Sequence, residues 1–64
     1  MQELQQYLER EKLSQVQFAA KLGVSQASVS DWLNGENHPK IPHLKKISKI
    51  TGISLEKLLA DTTA

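Results

Sequence analysis

A chain of 64 residues has room for one domain, expected over residues 1–64, and a domain near this size buries only roughly 60% of its unfolded surface. It contains no cysteine, which excludes a disulfide framework and a thiolate metal site; stability has to come from packed helices or from association with a second copy. Eight basic and seven acidic residues leave a net charge of +1, too little to indicate a polyanionic partner, and no apolar run approaches the ~18–20 residues that cross a membrane.

The first ten residues carry Glu3, Glu9 and Arg10 among glutamines, which does not read as a signal peptide. The length suits a complete small protein as well as the amino-terminal domain of a longer one. Residues from about Gln2 to Lys12 are predicted as helix 1, because Leu4 and Leu8 lie one turn apart with Tyr7 beside them. Leu13 is expected to close that helix against the core. Ser14-Gln15-Val16-Gln17 has the S-x-x-Q form of a capping box, so helix 2 runs from Gln15 to Leu22. Phe18, Ala19 and Leu22 mark its buried face, and Gly23 is its natural left-handed stop.

Ser25 is a good N-cap for helix 3, from Gln26 to about Asn34, with Gly35 as its stop. Val29, Trp32 and Leu33 are its apolar positions. A polar loop follows, Glu36 to Lys40, in which Pro39 disfavours helix at His38. Pro42 suits the first turn of helix 4, whose stripe is Leu44, Ile47 and Ile50 and whose stop is Gly52. Ser54 caps helix 5, with Leu55, Leu58 and Leu59 apolar. The tail Asp61-Thr62-Thr63-Ala64 is expected to fray. The fold class is therefore all-α: five short helices in a compact bundle with short connections.

Helices 2 and 3 together, Gln15 to Asn34, have the pattern of a helix-turn-helix. The small Ala19 lets the two helices cross closely, and this geometry serves chiefly to place the second helix in a DNA major groove. Lys40, Lys45, Lys46 and Lys49 cluster without an acid, while Glu3, Glu9 and Glu11 lie in the first segment. Such a cluster fits a solvated face as well as a binding patch.

The chain resembles the phage repressor and Cro family, the lambda-repressor-like DNA-binding domains. The resemblance runs from about Leu4 to Leu59. It rests on Leu13-Ser14-Gln15, Phe18-Ala19, Lys21-Leu22-Gly23-Val24-Ser25-Gln26, Val29, Trp32, Asn34-Gly35, Pro39, and Thr51-Gly52-Ile53-Ser54-Leu55-Glu56-Lys57-Leu58-Leu59. Leu33 stands where many members carry Glu, and Arg10 is the only arginine. The resemblance implies a sequence-specific transcriptional regulator, most often a phage or bacterial repressor. It would act in the bacterial cytoplasm, at the nucleoid, as a homodimer on a near-palindromic double-stranded operator.

It also implies roles for individual residues. Gln15 would bond a phosphate and brace Gln26. Gln26, Ala27, Ser28 and Asp31 would face bases. Gln can pair with adenine, Ala27 can pack on a thymine methyl, and Ser28 discriminates weakly. Asp31 is open between accepting from cytosine, repelling phosphate and simply facing solvent. Ser25, Ser30, Asn34, Asn37 and Lys40 would contact the backbone, with a base contact left open for Asn37 or Lys40. The dimer contact is expected on helix 5 and the turn before it, among Ile53, Leu55, Leu58 and Leu59.

Bland readings hold elsewhere. Trp32 belongs in the core, Lys45 and Lys46 are solvated, and His38 and His43 have no neighbours suited to a metal. Helix 3 has neither Arg nor Lys, so it lacks the commonest reader of guanine, and A·T-rich contacts are expected. No nucleophile with a base, carboxylate pair or Gly-rich phosphate loop suggests an enzyme, and no metal, cofactor or small-molecule ligand is expected. The competing reading is a protein-interaction module, or an antitoxin, on the same fold.

Overall fold

The computed structural model describes residues 1–63. Five helices follow one another: α1 (Gln2–Glu11), α2 (Gln15–Leu22), α3 (Gln26–Asn34), α4 (Ile41–Thr51) and α5 (Leu55–Thr63). The all-α, five-helix expectation holds.

The helix ends follow from local chemistry. Ser14 caps α2 reciprocally: its Oγ accepts from the Gln17 amide at 3.1 Å, and its own amide donates to Gln17 Oε1 at 2.9 Å. Ser25 Oγ accepts from the Ser28 amide at 3.2 Å, and Ser54 Oγ accepts from the Lys57 amide at 3.2 Å. At Gly23, φ is 76°, and the Val24 amide reaches back to Ala19 O at 3.0 Å, the pattern of a Schellman turn. A side chain at that φ is strained, so glycine is the residue the turn requires.

Helix α1 ends differently from its expectation. It stops at Glu11, and Lys12 takes the left-handed conformation, φ 55°, without being glycine. Its amide donates to Glu9 O, and the Leu13 amide to Leu8 O at 2.9 Å. The same Schellman arrangement drops Leu13 onto the core.

Every helix contributes to one apolar cluster. Leu4 and Leu8 come from α1; Phe18, Ala19 and Leu22 from α2; Val29 and Trp32 from α3; Leu44 and Ile47 from α4; and Leu58 from α5. Leu33, Ile50, Ile53 and Leu55 pack partly buried around it. No polar or charged residue is buried among the described residues, so no charged side chain has to be desolvated to form this core. Helix α2 packs on α3 and α4, and α1 on α3 and α5.

The carboxyl-terminal tail departs from the expected fraying. Helix α5 continues to Thr63. Asp61 explains this, because its two carboxylate oxygens accept from the backbone amides of Gln2 at 2.8 Å and Glu3 at 3.0 Å. Those amides are orphan donors at the start of α1, where no local side chain supplies a cap. An anion there also suits the helix dipole. The last turn of α5 is thus tied to the first turn of α1. Ala64, expected to fray, lies outside the described residues.

Candidate nucleic-acid interface

The candidate surface is built by α2, the turn at Gly23, α3 and the loop leading to α4. Val29 and Trp32 are sunk in the core, and this fixes the roll of α3 about its axis. The opposite side of the helix then faces out. Gln26, Ala27 and Asn34 are exposed there, and Ser28, Ser30 and Asp31 are half-buried. None of these is a large apolar residue.

The hydroxyls and amides on this face are already partly engaged. Ser25 Oγ and Ser28 Oγ share a hydrogen bond at 3.0 Å, so the cap of α3 also fixes Ser28. Asn34 Nδ2 donates to Ser30 Oγ at 3.4 Å, one helical turn back. Asn37 Nδ2 donates to Asp31 Oδ2 at 3.3 Å. Gln26 and Ala27 are left at the exposed first turn of the helix. Gln15 is half-buried at the first position of α2, and among the described residues no hydrogen bond joins it to Gln26. The brace implied between these two glutamines is therefore not formed here.

Lys40 is exposed and stands at the N-cap of α4. It lines the same shallow groove as Ser28, Asp31 and Asn37. The structure thus gathers four of the expected contact residues along one edge of α3. Two residues of this neighbourhood were set aside in the sequence. His43 is half-buried, and its ring lies against Trp32 at a centroid distance of 5.6 Å, tilted by 42°. Lys46 is not merely solvated, because its Nζ donates to Leu22 O at 3.3 Å, at the carboxyl end of α2. Both contacts join α4 to the helix-turn-helix. No local pattern announces them, since they span elements that the chain brings together only on folding.

The expected dimer residues divide. Leu58 is 0% exposed and belongs to the core, so it has no surface left for a partner. It points inward because one α5 stripe must cover α1 and α4. Ile53 and Leu55 are half-buried against the same core. Leu59 is 39% exposed. Beside it lies Ile41, 49% exposed, at a position outside the apolar stripe of α4 and so without a signal in the sequence. With Pro39 and Leu44 these two line one apolar groove.

Residues 4–58 match the helix-turn-helix family. Among known proteins, the chain is similar to the helix-turn-helix-type transcriptional activator BcrR of Enterococcus faecalis, 36% identical over 59 residues. That alignment covers 92% of this chain and 29% of the relative. It is also similar to an uncharacterised helix-turn-helix-type transcriptional regulator of Haemophilus influenzae, 40% identical over 42 residues, covering 66% of this chain and 18% of the relative. The chain therefore spans less than a third of either relative. No solved structure matches it at a significant level. The matched span runs from the first core residue of α1 to the core residue of α5, so the match and the packing delimit the same unit. The chain belongs to the Cro/C1-type, lambda-repressor-like helix-turn-helix family, a non-enzymatic family of DNA-binding domains.

Proposed function

We propose that this domain reads double-stranded DNA sequence-specifically, with α3 in the major groove, and thereby regulates transcription. The observation that carries the reading is the outward face of α3. Its side chains are small and polar, while the helix beneath is anchored by Val29 and Trp32 and capped by Ser25. Base edges in the major groove are recognised by just such short donors and acceptors. Gln15 at the start of α2 and Lys40 at the start of α4 flank the helix as phosphate contacts, with Asn34 beside them.

A protein-interaction module, or an antitoxin, would need an apolar anchor on this face. The exposed large apolar residues of the described chain are Val16, Ile41 and Leu59, none of them on α3. Each copy carries one helix-turn-helix and so reads one half-site, and a near-palindromic operator takes two, with recognition helices ~34 Å apart in successive major grooves. The exposed Leu59 and Ile41 supply the apolar contact between them. What the domain contributes alone is occupancy, and occupancy of a promoter represses. One relative is described as a transcriptional activator. Both relatives are bacterial transcriptional regulators, so we place the domain's action at bacterial DNA; among the described residues no helix is long and apolar enough to cross a membrane.

A selected-site binding assay at two salt concentrations tests this. A defined half-site, bound with an affinity that falls steeply as salt rises, is expected. Lys40→Ala should weaken all sequences alike and reduce the salt slope by about one. Sequence-independent binding, or none, defeats the proposal. Guanine-rich half-sites read by Gln26 would defeat the expected A·T preference.

A further inference from the structure

We infer that Asp31 and Asn37 form one reading unit, in which Asp31 is a positioning residue that presents the Asn37 amide to an adenine of the half-site. This inference rests on α3 lying in the major groove, as proposed above.

The chain leaves α3 through Gly35, φ 79°. The Glu36 amide then returns to Asp31 O at 2.9 Å, and the Asn37 amide reaches the same oxygen at 3.4 Å. The side chains repeat the connection, with Asn37 Nδ2 donating to Asp31 Oδ2 at 3.3 Å. Residue 37 is thus held to residue 31 by main chain and side chain together. A loop residue acquires the fixed placement of a helix residue.

The chemistry of the pair sets its orientation. An ionised carboxylate only accepts, whereas a side-chain amide has one accepting oxygen and two N–H donors. Asp31 therefore holds the nitrogen end of the amide toward itself and repels the oxygen end. One N–H and the carbonyl oxygen remain unspent, and Asn37 is exposed. A donor and an acceptor side by side are what adenine N7 and N6–H₂ require. Prior fixation of the rotamer removes part of the ordering cost that a free loop side chain pays on binding. Asp31 also has a reason to sit on a DNA-facing surface: its charge is committed to an amide, and Lys40 lines the same groove.

The test compares base preference for the wild-type protein, Asn37→Ala, Asp31→Ala, the double variant and Asp31→Asn, with thermal melting of each. Asn37→Ala should lose about tenfold discrimination for A·T at one base-pair position, the loss expected of a broken bidentate contact. Asp31→Ala should lose discrimination at that same position, and the double variant should lose no more than either single change. Asp31→Asn should retain part of the preference, more than Asp31→Ala does, because an amide oxygen can still accept from Asn37 while its N–H groups no longer exclude the reversed orientation. Binding to non-specific DNA should hold or rise in Asp31→Ala, since a negative charge is removed. A merely structural Asp31 would instead weaken all sequences in proportion to lost folding. An unchanged base profile in Asn37→Ala overturns the inference alone, and so do losses at different positions that multiply in the double variant. A wild-type protein without base preference overturns it together with the major-groove reading.

Discussion

Helices α2 and α3 carry their own end signals, whereas the start of α1 takes its cap from the last turn of α5. In the helix-turn-helix, the capping box of Ser14 and Gln17, the Ser25 cap and the Asp31–Asn37 bond each join residues no more than six apart. At the seam between α1 and α5, Asp61 bonds amides 58 and 59 residues away. A unit stitched locally keeps its internal geometry as long as its helices exist. A seam stitched at long range holds only when the whole chain is folded. The reading head should therefore fail by losing discrimination, and the seam should fail by losing global stability.

The largest test of that division lies within α5. Leu58 fills the core and Leu59 is its partly exposed neighbour. Leu58→Ala should cost about 2–5 kcal/mol by thermal or denaturant unfolding, the usual range for a buried leucine. In a domain this small that is a large share of the total stability. Leu59→Ala should change monomer stability by less than about 1 kcal/mol while weakening two-copy binding to a full operator more than binding to a half-site. Equal effects from the two substitutions would erase the distinction between core and surface on α5.

The same division governs what could be read from the sequence. Ser14, Ser25 and Ser54 act as the caps their positions indicate, and Gly23, Gly35 and Gly52 end their helices, because capping is decided within a few residues. Periodicity likewise assigned Phe18, Leu22 and Val29 to the core. The contacts of Asp61, Lys46 and His43 are not legible in the sequence for the opposite reason. Each gains its partner from a helix that is distant in sequence. An isolated Asp near the end of a chain looks like a solvated tail, and only the open N-terminus of α1 gives it work. Leu58 and Leu59 could not be separated because both fall within a broad apolar stripe of a nine-residue helix. At the candidate site, the residue types of α3 were legible. Their prior engagement with Ser25, Ser30 and Asn37 was not, because side-chain pairing depends on rotamers.

A cap on each side of the division gives a sharper contrast. Ser25→Ala and Asp61→Ala each remove acceptors from the first turn of a helix, and each should cost about 1 kcal/mol, within the range of measured caps. Their consequences on DNA should differ. Ser25→Ala also frees the Ser28 hydroxyl, which now bonds Ser25, so base preference near Ser28 should shift. Asp61→Ala should lower the melting temperature by several degrees. It should leave the base profile of the folded protein unchanged. A changed profile in Asp61→Ala would mean that the seam reaches the reading head after all.

The smallest effect concerns Lys46, which ties α4 to the carboxyl end of α2. Lys46 and Lys45 are adjacent on α4 and both are exposed, yet only Lys46 reaches the carboxyl end of α2 through Leu22 O. A cation at a helix C-terminus contributes about 0.3–1 kcal/mol, and the contribution shrinks as salt rises. Lys46→Met should therefore lower stability by a few tenths of a kcal/mol at low salt, and the difference should fade toward 1 M salt. Lys45→Met, which removes the same charge from the neighbouring position, should be close to neutral on stability. Both variants lose one positive charge, so a purely non-specific charge effect on DNA binding would be equal in the two. If Lys46 instead holds α2 at the angle that lets Gln15 meet a phosphate, Lys46→Met should weaken specific binding more than Lys45→Met does at the same salt. The difference between these two binding losses, measured side by side, isolates what α4 contributes to orienting the helix-turn-helix from what it contributes as charge.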